Sequence, residues 1–200
     1  MKGRKSLRRF WNPLSNRPDS KKIGNSFIRE EDGYTKVFYL ENSSWNEKDW
    51  VDFSLYVGIF FPIVEQVRNR PIHKFPGTHF EIDTNQLTNA NRKLIISPDT
   101  DIEELRSYIS DLIENNVVPF FNSYSDIKDC IDLPKKYVSN KYDVRPFIGL
   151  ALLEHGHIEA GKKLMEDLDQ SMYIESFRKQ LLDYGDFLIS KHKWSTNEIS

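Results

Sequence analysis

From Asp52 to Phe61 the chain reads DFSLYVGIFF, with Phe53, Leu55, Val57, Ile59 and Phe61 on every second position. Side chains alternate between the two faces of a β-strand, so this period of two predicts a long strand with one wholly apolar face. The other face carries Asp52, Ser54, Tyr56, Gly58 and Phe60, polar at its start and aromatic at its end, so only part of it suits water. Such a strand belongs in the middle of a sheet. Pro62 ends it, because proline gives no N–H to a ladder yet fits the first turn of a helix.

The segments around this spine sort into strands first and helices afterwards. Residues 26–29 form a short apolar run, Glu30-Glu31-Asp32-Gly33 reads as a turn in which Gly33 takes positive φ, and 34–40 (YTKVFYL) is rich in β-forming residues. Together they predict a hairpin. A polar linker over 41–48 follows, with Trp45 and Trp50 bracketing the entry to the spine. Ile63, Val64 and Val67 have helical spacing, giving a short helix that stops before Pro71. Phe80 and Ile82 alternate with Glu81 and Asp83, and 94–96 is a further apolar run, which predicts another antiparallel pair.

Thr100 followed by Glu103 has the spacing of a capping box, in which Thr100 takes the Glu103 amide. Ile102, Leu105, Ile109, Leu112 and Ile113 then make one apolar helical face that should cover a sheet, and Pro119 should interrupt that helix. A shorter helical segment carries Phe120, Phe121, Tyr124, Ile127 and Ile131. After a polar linker over 134–144, two short helices flank Gly156 and approach through Leu150, Ala151, Leu152 and Ala160. A final amphipathic helix carries Met172, Phe177, Leu181, Tyr184 and Leu188. Strands followed by helices mean α+β. The expected architecture is an antiparallel sheet of four to five strands over residues 26–96, covered by helices, with a C-terminal helical segment. The expected divisions are a basic arm over 1–22, an α+β domain over 23–133 and a helical subdomain over 144–191.

Three stretches also carry a family resemblance: Gly24-Asn25-Ser26-Phe27-Ile28-Arg29, the strand 51–61 with Pro62, and Val118-Pro119-Phe120-Phe121. In this order they resemble the bacterial family catalogued as domain of unknown function 4304, over roughly residues 23–133. The chain departs from that family at Arg92-Lys93-Leu94-Ile95, where the family tends to show paired tryptophans. The family has no established activity, so the resemblance implies a fold and no chemistry.

Composition narrows the function classes. A chain of 200 residues with 38% hydrophobic and 13% aromatic residues can bury a core without staples. No apolar run approaches the roughly 18 residues of a membrane span, and the basic N-terminus runs into Phe10, Trp11, Asn12 and Pro13 with no apolar signal region. Cys130 is the single cysteine, which fits a reducing cytoplasm. The net charge of −2 hides an asymmetry: residues 1–22 hold eight lysines and arginines against Asp19, a net of +7 that leaves −9 for the rest. A basic arm could bind nucleic acid, although Phe10 and Trp11 are its single aromatic pair where a stacking platform would interleave several.

No stretch carries a catalytic signature. His155-Gly156-His157 with Glu154 and Glu159 is the densest group of potential metal ligands, but its spacing matches no zinc pattern, and Gly156 reads better as a helix end. Cys130 sits among Ile127, Ile131 and Leu133, the setting of an inert core thiol. Neither a phosphate-binding glycine loop nor a nucleophile elbow occurs. No catalytic residue, metal or cofactor is therefore expected. The favoured expectation is a noncatalytic cytoplasmic protein-binding module, with an immunity-type protein, one that neutralises a basic toxin by charge complementarity, as its specific form by analogy. Its binding candidates are Trp45, Trp50, Tyr56, Phe60, His73, His79, Glu81 and Asp83. The alternative is a small enzyme or ligand-binding domain built on the His73/His79 loop with Glu81 and Asp83, and nucleic-acid binding by the arm is a weaker third.

Overall fold

In the computed structural model the described residues are 21–47, 49–69, 78–90, 92–133, 143–166 and 174–197, with 193–197 described as backbone. They form an α+β fold on a six-stranded antiparallel sheet. The strands are β1 (Lys21–Ile23), β2 (Ser26–Glu30), β3 (Thr35–Asn42), β4 (Val51–Phe60), β5 (Phe80–Asp83) and β6 (Leu94–Ile96). The order is β1-β2-β3-β4-β5, and β6 also pairs with β4. The spine is thus β4, as its alternation requires.

The expected strand pair at 80–83 and 94–96 exists as two strands that both pair with β4. The short helix α2 (Thr84–Thr88) joins them, preceded in the chain by α1 (Pro62–Val67). One expectation is refined at the N-terminal side. Lys21 and Lys22, assigned to the arm, lie in β1 and pair with Ile28 and Phe27. Two lysines in a three-residue strand leave no alternation to detect. The rest of the arm, residues 1–20, lies outside the described residues.

Two further corrections concern α3 (Ile102–Leu112). Its N-cap is Asp101, whose Oδ1 accepts from the amides of Glu103 and Glu104 at 2.9 and 3.1 Å. Thr100 instead uses its hydroxyl to accept from the Ser97 amide at 2.8 Å and to donate to the Ile95 carbonyl at 3.2 Å. A carboxylate at the helix N-terminus gains charge complementarity that a hydroxyl lacks. Pro119 also fails to interrupt. Residues Ile113–Val117 widen into a π-helical stretch and lead directly into α4 (Val118–Asn122), with Pro119 in its first turn. The wider turn removes the need for the N–H that proline lacks. A 3₁₀ segment (Ile127–Asp132) follows, then α5 (Arg145–Glu154), α6 (Ile158–Glu166) and α7 (Glu175–Asn197).

The chain divides into two compact units. The first comprises residues up to Glu30, Lys36–Gly58 and Glu81–Ser123; the second comprises Glu31–Thr35, Ile59–Phe80 and the residues from Tyr124 onward. The boundary runs through β4 and β5, so neither the domain 23–133 nor the subdomain 144–191 coincides with a unit. In the first unit Phe38, Leu40, Phe53, Leu55, Val57, Leu105, Ile109 and Leu112 are buried and form its core.

In the second unit α5 and α6 meet at two glycines. A Cβ on Gly161 would stand 2.9 Å from the Gly149 carbonyl and 2.6 Å from Leu153 Cγ. The close approach rests on Gly149 and Gly161, not on the alanines the sequence suggested. Gly156 closes α5 as expected, with φ +79°, Gly156 N–H bonding the Leu153 carbonyl and His157 N–H bonding that of Leu152. This is a Schellman end. Gly33, at φ +85°, packs under His155, whose Nδ1 lies 3.3 Å from Asp32 Oδ2. The Tyr34 hydroxyl donates to the Tyr124 carbonyl at 2.5 Å within the same unit.

Candidate binding face

The second face of β4 behaves as its sequence requires. Asp52, Ser54 and Tyr56 are half-buried, while Gly58 and Phe60 are buried. Its neighbour β3 is brought alongside by a fixed register: the Ser43 amide donates to the Asp52 carbonyl at 3.0 Å, which sets Tyr39 beside Tyr56. The two rings stack with centroids 5.2 Å apart and planes inclined by 20°. From β5, Glu81 Oε2 accepts the Tyr39 hydroxyl at 2.5 Å. Burial raises the Tyr56 pKa, and the carboxylates of Asp83, Glu41 and Glu81 raise it further, against a hydrogen bond with Ser54 that lowers it. Those same carboxylates surround the tyrosine pair with negative charge.

Asp83 has a second task. Its Oδ1 accepts from the Asn85 amide at 2.8 Å, capping α2 and fixing the carboxylate at the edge of the face. The register of β4 with β6 sets Ile95 opposite Asp52 and so adds an apolar side chain to the same face. The face therefore presents a stacked tyrosine pair, Ile95 and four carboxylates: Glu41, Asp52, Glu81 and Asp83.

The loop between β3 and β4 extends it. Asn46 acts as a brace, its Oδ1 accepting from the Asp52 amide at 2.7 Å and its Nδ2 donating to the Asp52 carbonyl at 2.9 Å. The Glu47 amide donates to the Trp50 carbonyl at 3.0 Å, and the Trp45 amide to the Ser43 hydroxyl at 3.2 Å. On this hydrogen-bonded loop Trp45 is 88% exposed and Trp50 50% exposed. Large aromatic side chains left in water on an ordered backbone are unusual, and they are the residue type that dominates protein interfaces.

Of the eight residues expected to bind, Trp45, Trp50, Tyr56, Glu81 and Asp83 are gathered in the first unit. Phe60 and His79 are buried, with their rings stacked at 4.9 Å. His73 lies outside the described residues. Tyr39 was missed. Folding the linker 41–48 about its centre would set Tyr39 opposite Trp50, and the Ser43–Asp52 bond is what moves the register to Tyr56.

His79 is held as a neutral structural group. Its Nδ1 accepts from the Phe61 amide at 2.9 Å, so the proton sits on Nε2, 3.5 Å from Glu65 Oε1. Burial, aided by the Arg68 guanidinium, pushes its pKa down to about 3. A histidine with its basic lone pair already used is not arranged to take a proton from a substrate. Among the described residues no three His, Cys, Asp or Glu side chains converge to hold a metal ion. Cys130 is buried. No described helix is long and apolar enough to cross a membrane. The chain matches no family model, no curated protein and no solved structure.

Proposed function

We propose that this chain is a noncatalytic, cytoplasmic protein-binding module whose acidic tyrosine face receives a basic protein surface. The observation that carries the reading is the stacked Tyr39–Tyr56 pair with Glu41, Glu81 and Asp83 around it. Tyrosine faces attract guanidinium and ammonium groups through the ring quadrupole, and the carboxylates add Coulomb attraction and charge-assisted hydrogen bonds. Trp45 and Trp50 supply apolar anchor area next to it. Complementary charge of this kind speeds encounter and selects partners by sign. The most specific form of the reading is an immunity-type role, in which the partner is a basic toxin.

The test is co-purification from the native host at low salt, comparing the native chain with the double variant Glu81→Gln, Asp83→Asn. Both replacements keep the acceptor oxygens that hold Tyr39 and cap α2, so the charge changes while the bonds stay. A basic protein retained by the native chain, released as salt rises and lost from the variant, is the expected result. A native chain that stays monomeric with nothing retained, or a partner held equally by both proteins, overturns it.

A further inference from the structure

We infer that the second unit holds a binding groove for a small cationic amphiphile, an aliphatic amine whose chain lies between α6 and α7 and whose ammonium meets Glu166 and Asp186. The inference stands on the second unit alone and does not rest on the tyrosine face.

The groove follows from how three helices meet. Leu182, Gly185, Asp186 and Ile189 recur at helical spacing on α7, and Lys162, Met165 and Glu166 do so on α6, so each helix turns one stripe toward the same space. Leu153 joins them from α5. The space measures about 290 Å³. An apolar cavity of about 150 Å³ takes up a benzene, so this groove has room for a chain of several carbons along Leu153, Met165, Leu182 and Ile189.

Gly185 points to use of that space and not to packing. Gly149 and Gly161 are required by atoms that an added Cβ would meet at 3.1 and 2.6 Å. At Gly185 the nearest atom is Met165 Cε at 3.5 Å, with Leu153 Cδ1 at 3.7 Å, ordinary contacts that an alanine would accept. The residue lies inside α7 with no positive φ to explain it. Glycine is the poorest helix former after proline, so α7 carries a destabilising residue that neither packing nor backbone geometry requires. Met165 and Leu153 both line the groove, so a side chain at this position would stand on its floor.

Charge selects the sign of the ligand. Lys162 is engaged by Glu159, with Nζ 3.6 Å from Oε1. Glu159, Glu166 and Asp186 outnumber that one ammonium, so the field at the rim is negative. A positive head beside an apolar chain is attracted there, and a fatty acid is repelled.

The probes are n-octylammonium, octanoate and n-butylammonium, titrated into the full chain while the Met165 methyl is followed by proton–carbon NMR. Octylammonium should saturate one site, shift that methyl, and bind at least about tenfold tighter than octanoate, which lacks the positive head, or butylammonium, which lacks half the chain. The double variant Glu166→Gln, Asp186→Asn should lose the preference for the positive head. Gly185→Ala should weaken octylammonium about tenfold, while its melting temperature, equal to or above that of the native chain, shows that the fold is intact. Octanoate binding as tightly as octylammonium, a Met165 methyl that does not move, or undiminished binding by Gly185→Ala overturns the inference. Butylammonium binding as tightly as octylammonium overturns it as well, because surface charge alone would then be read.

Discussion

At the scale of single residues, His79 and Gly33 carry measurable consequences. The His79 pKa lies near 3 in the folded chain against 6.5 when unfolded. Above pH 6.5 both states hold it neutral, and the contacts of the neutral ring contribute fully. Between about pH 6.5 and 3 the unfolded chain takes a proton that the folded chain refuses, so stability is lost as pH falls, by up to about 1.4 kcal/mol per pH unit. Urea unfolding of the native chain and of His79→Phe from pH 8 to pH 4 should show a shallower fall in the variant below pH 6.5. Equal slopes would mean that His79 titrates within the fold. Gly33 is the second case, since its φ of +85° suits glycine and a Cβ there would meet His155 Nε2 at 2.6 Å. Gly33→Ala should cost roughly 1–3 kcal/mol. Adding His155→Ala removes the collision and leaves the backbone strain, so the double variant should lose less than the two single losses added together. Strict additivity in urea unfolding would show that the ring simply moves aside.

Among the elements, the three glycines of α5, α6 and α7 make a graded test of how closely those helices pack. At Gly161 an added methyl meets backbone and Leu153 below 3.0 Å; at Gly149 it meets the Gly161 carbonyl at 3.1 Å and Met165 at 3.2 Å; at Gly185 nothing lies nearer than 3.5 Å. Gly161→Ala should therefore destabilise by about 1–3 kcal/mol, through forced separation of α5 and α6. Gly149→Ala should cost less, because the Met165 side chain can turn away. Gly185→Ala gains helix propensity of up to about 1 kcal/mol with no collision and should leave the melting temperature equal or higher. A different ranking in thermal melts would mean that the α5–α6 contact relaxes freely. The elements also show where sequence patterns suffice. Ten residues of alternation define β4, and the repeat from Ile102 to Leu112 defines α3, because each buries a whole face. Lys21–Ile23 and Thr84–Thr88 are shorter than the patterns that would reveal them. Whether Thr100 or Asp101 caps α3 is settled by competing bonds to Ser97 and Ile95, which no local motif encodes.

For the molecule as a whole, the legible part of the candidate site was its residue types, and the illegible part was their register. Trp45, Trp50, Tyr56, Glu81 and Asp83 stand out as aromatic and acidic residues near the spine. Their assembly depends on Tyr39 crossing to Tyr56 and on β5 joining β4 after a long excursion. Phe60 and His79 looked equally available, yet burial removes them, because β4 is half-exposed at Tyr56 and fully covered beyond it. This division predicts that stability and binding separate between the buried face of β4 and the loop that leads into it. Leu55→Ala, at a site with 0% exposure, should lower the unfolding free energy by about 2–5 kcal/mol. Trp45→Ala, at 88% exposure, should change it by no more than about 0.5 kcal/mol. The same Trp45→Ala should weaken retention of a basic partner by about 1–3 kcal/mol, roughly 5- to 150-fold, since an interface anchor contributes only when a partner covers it. Urea unfolding and a titration against the co-purified partner measure the two quantities on one protein. If Trp45→Ala unfolds the chain, the loop is part of the core after all; if it leaves both quantities unchanged, the exposed tryptophan is not an anchor and the partner lies on another surface.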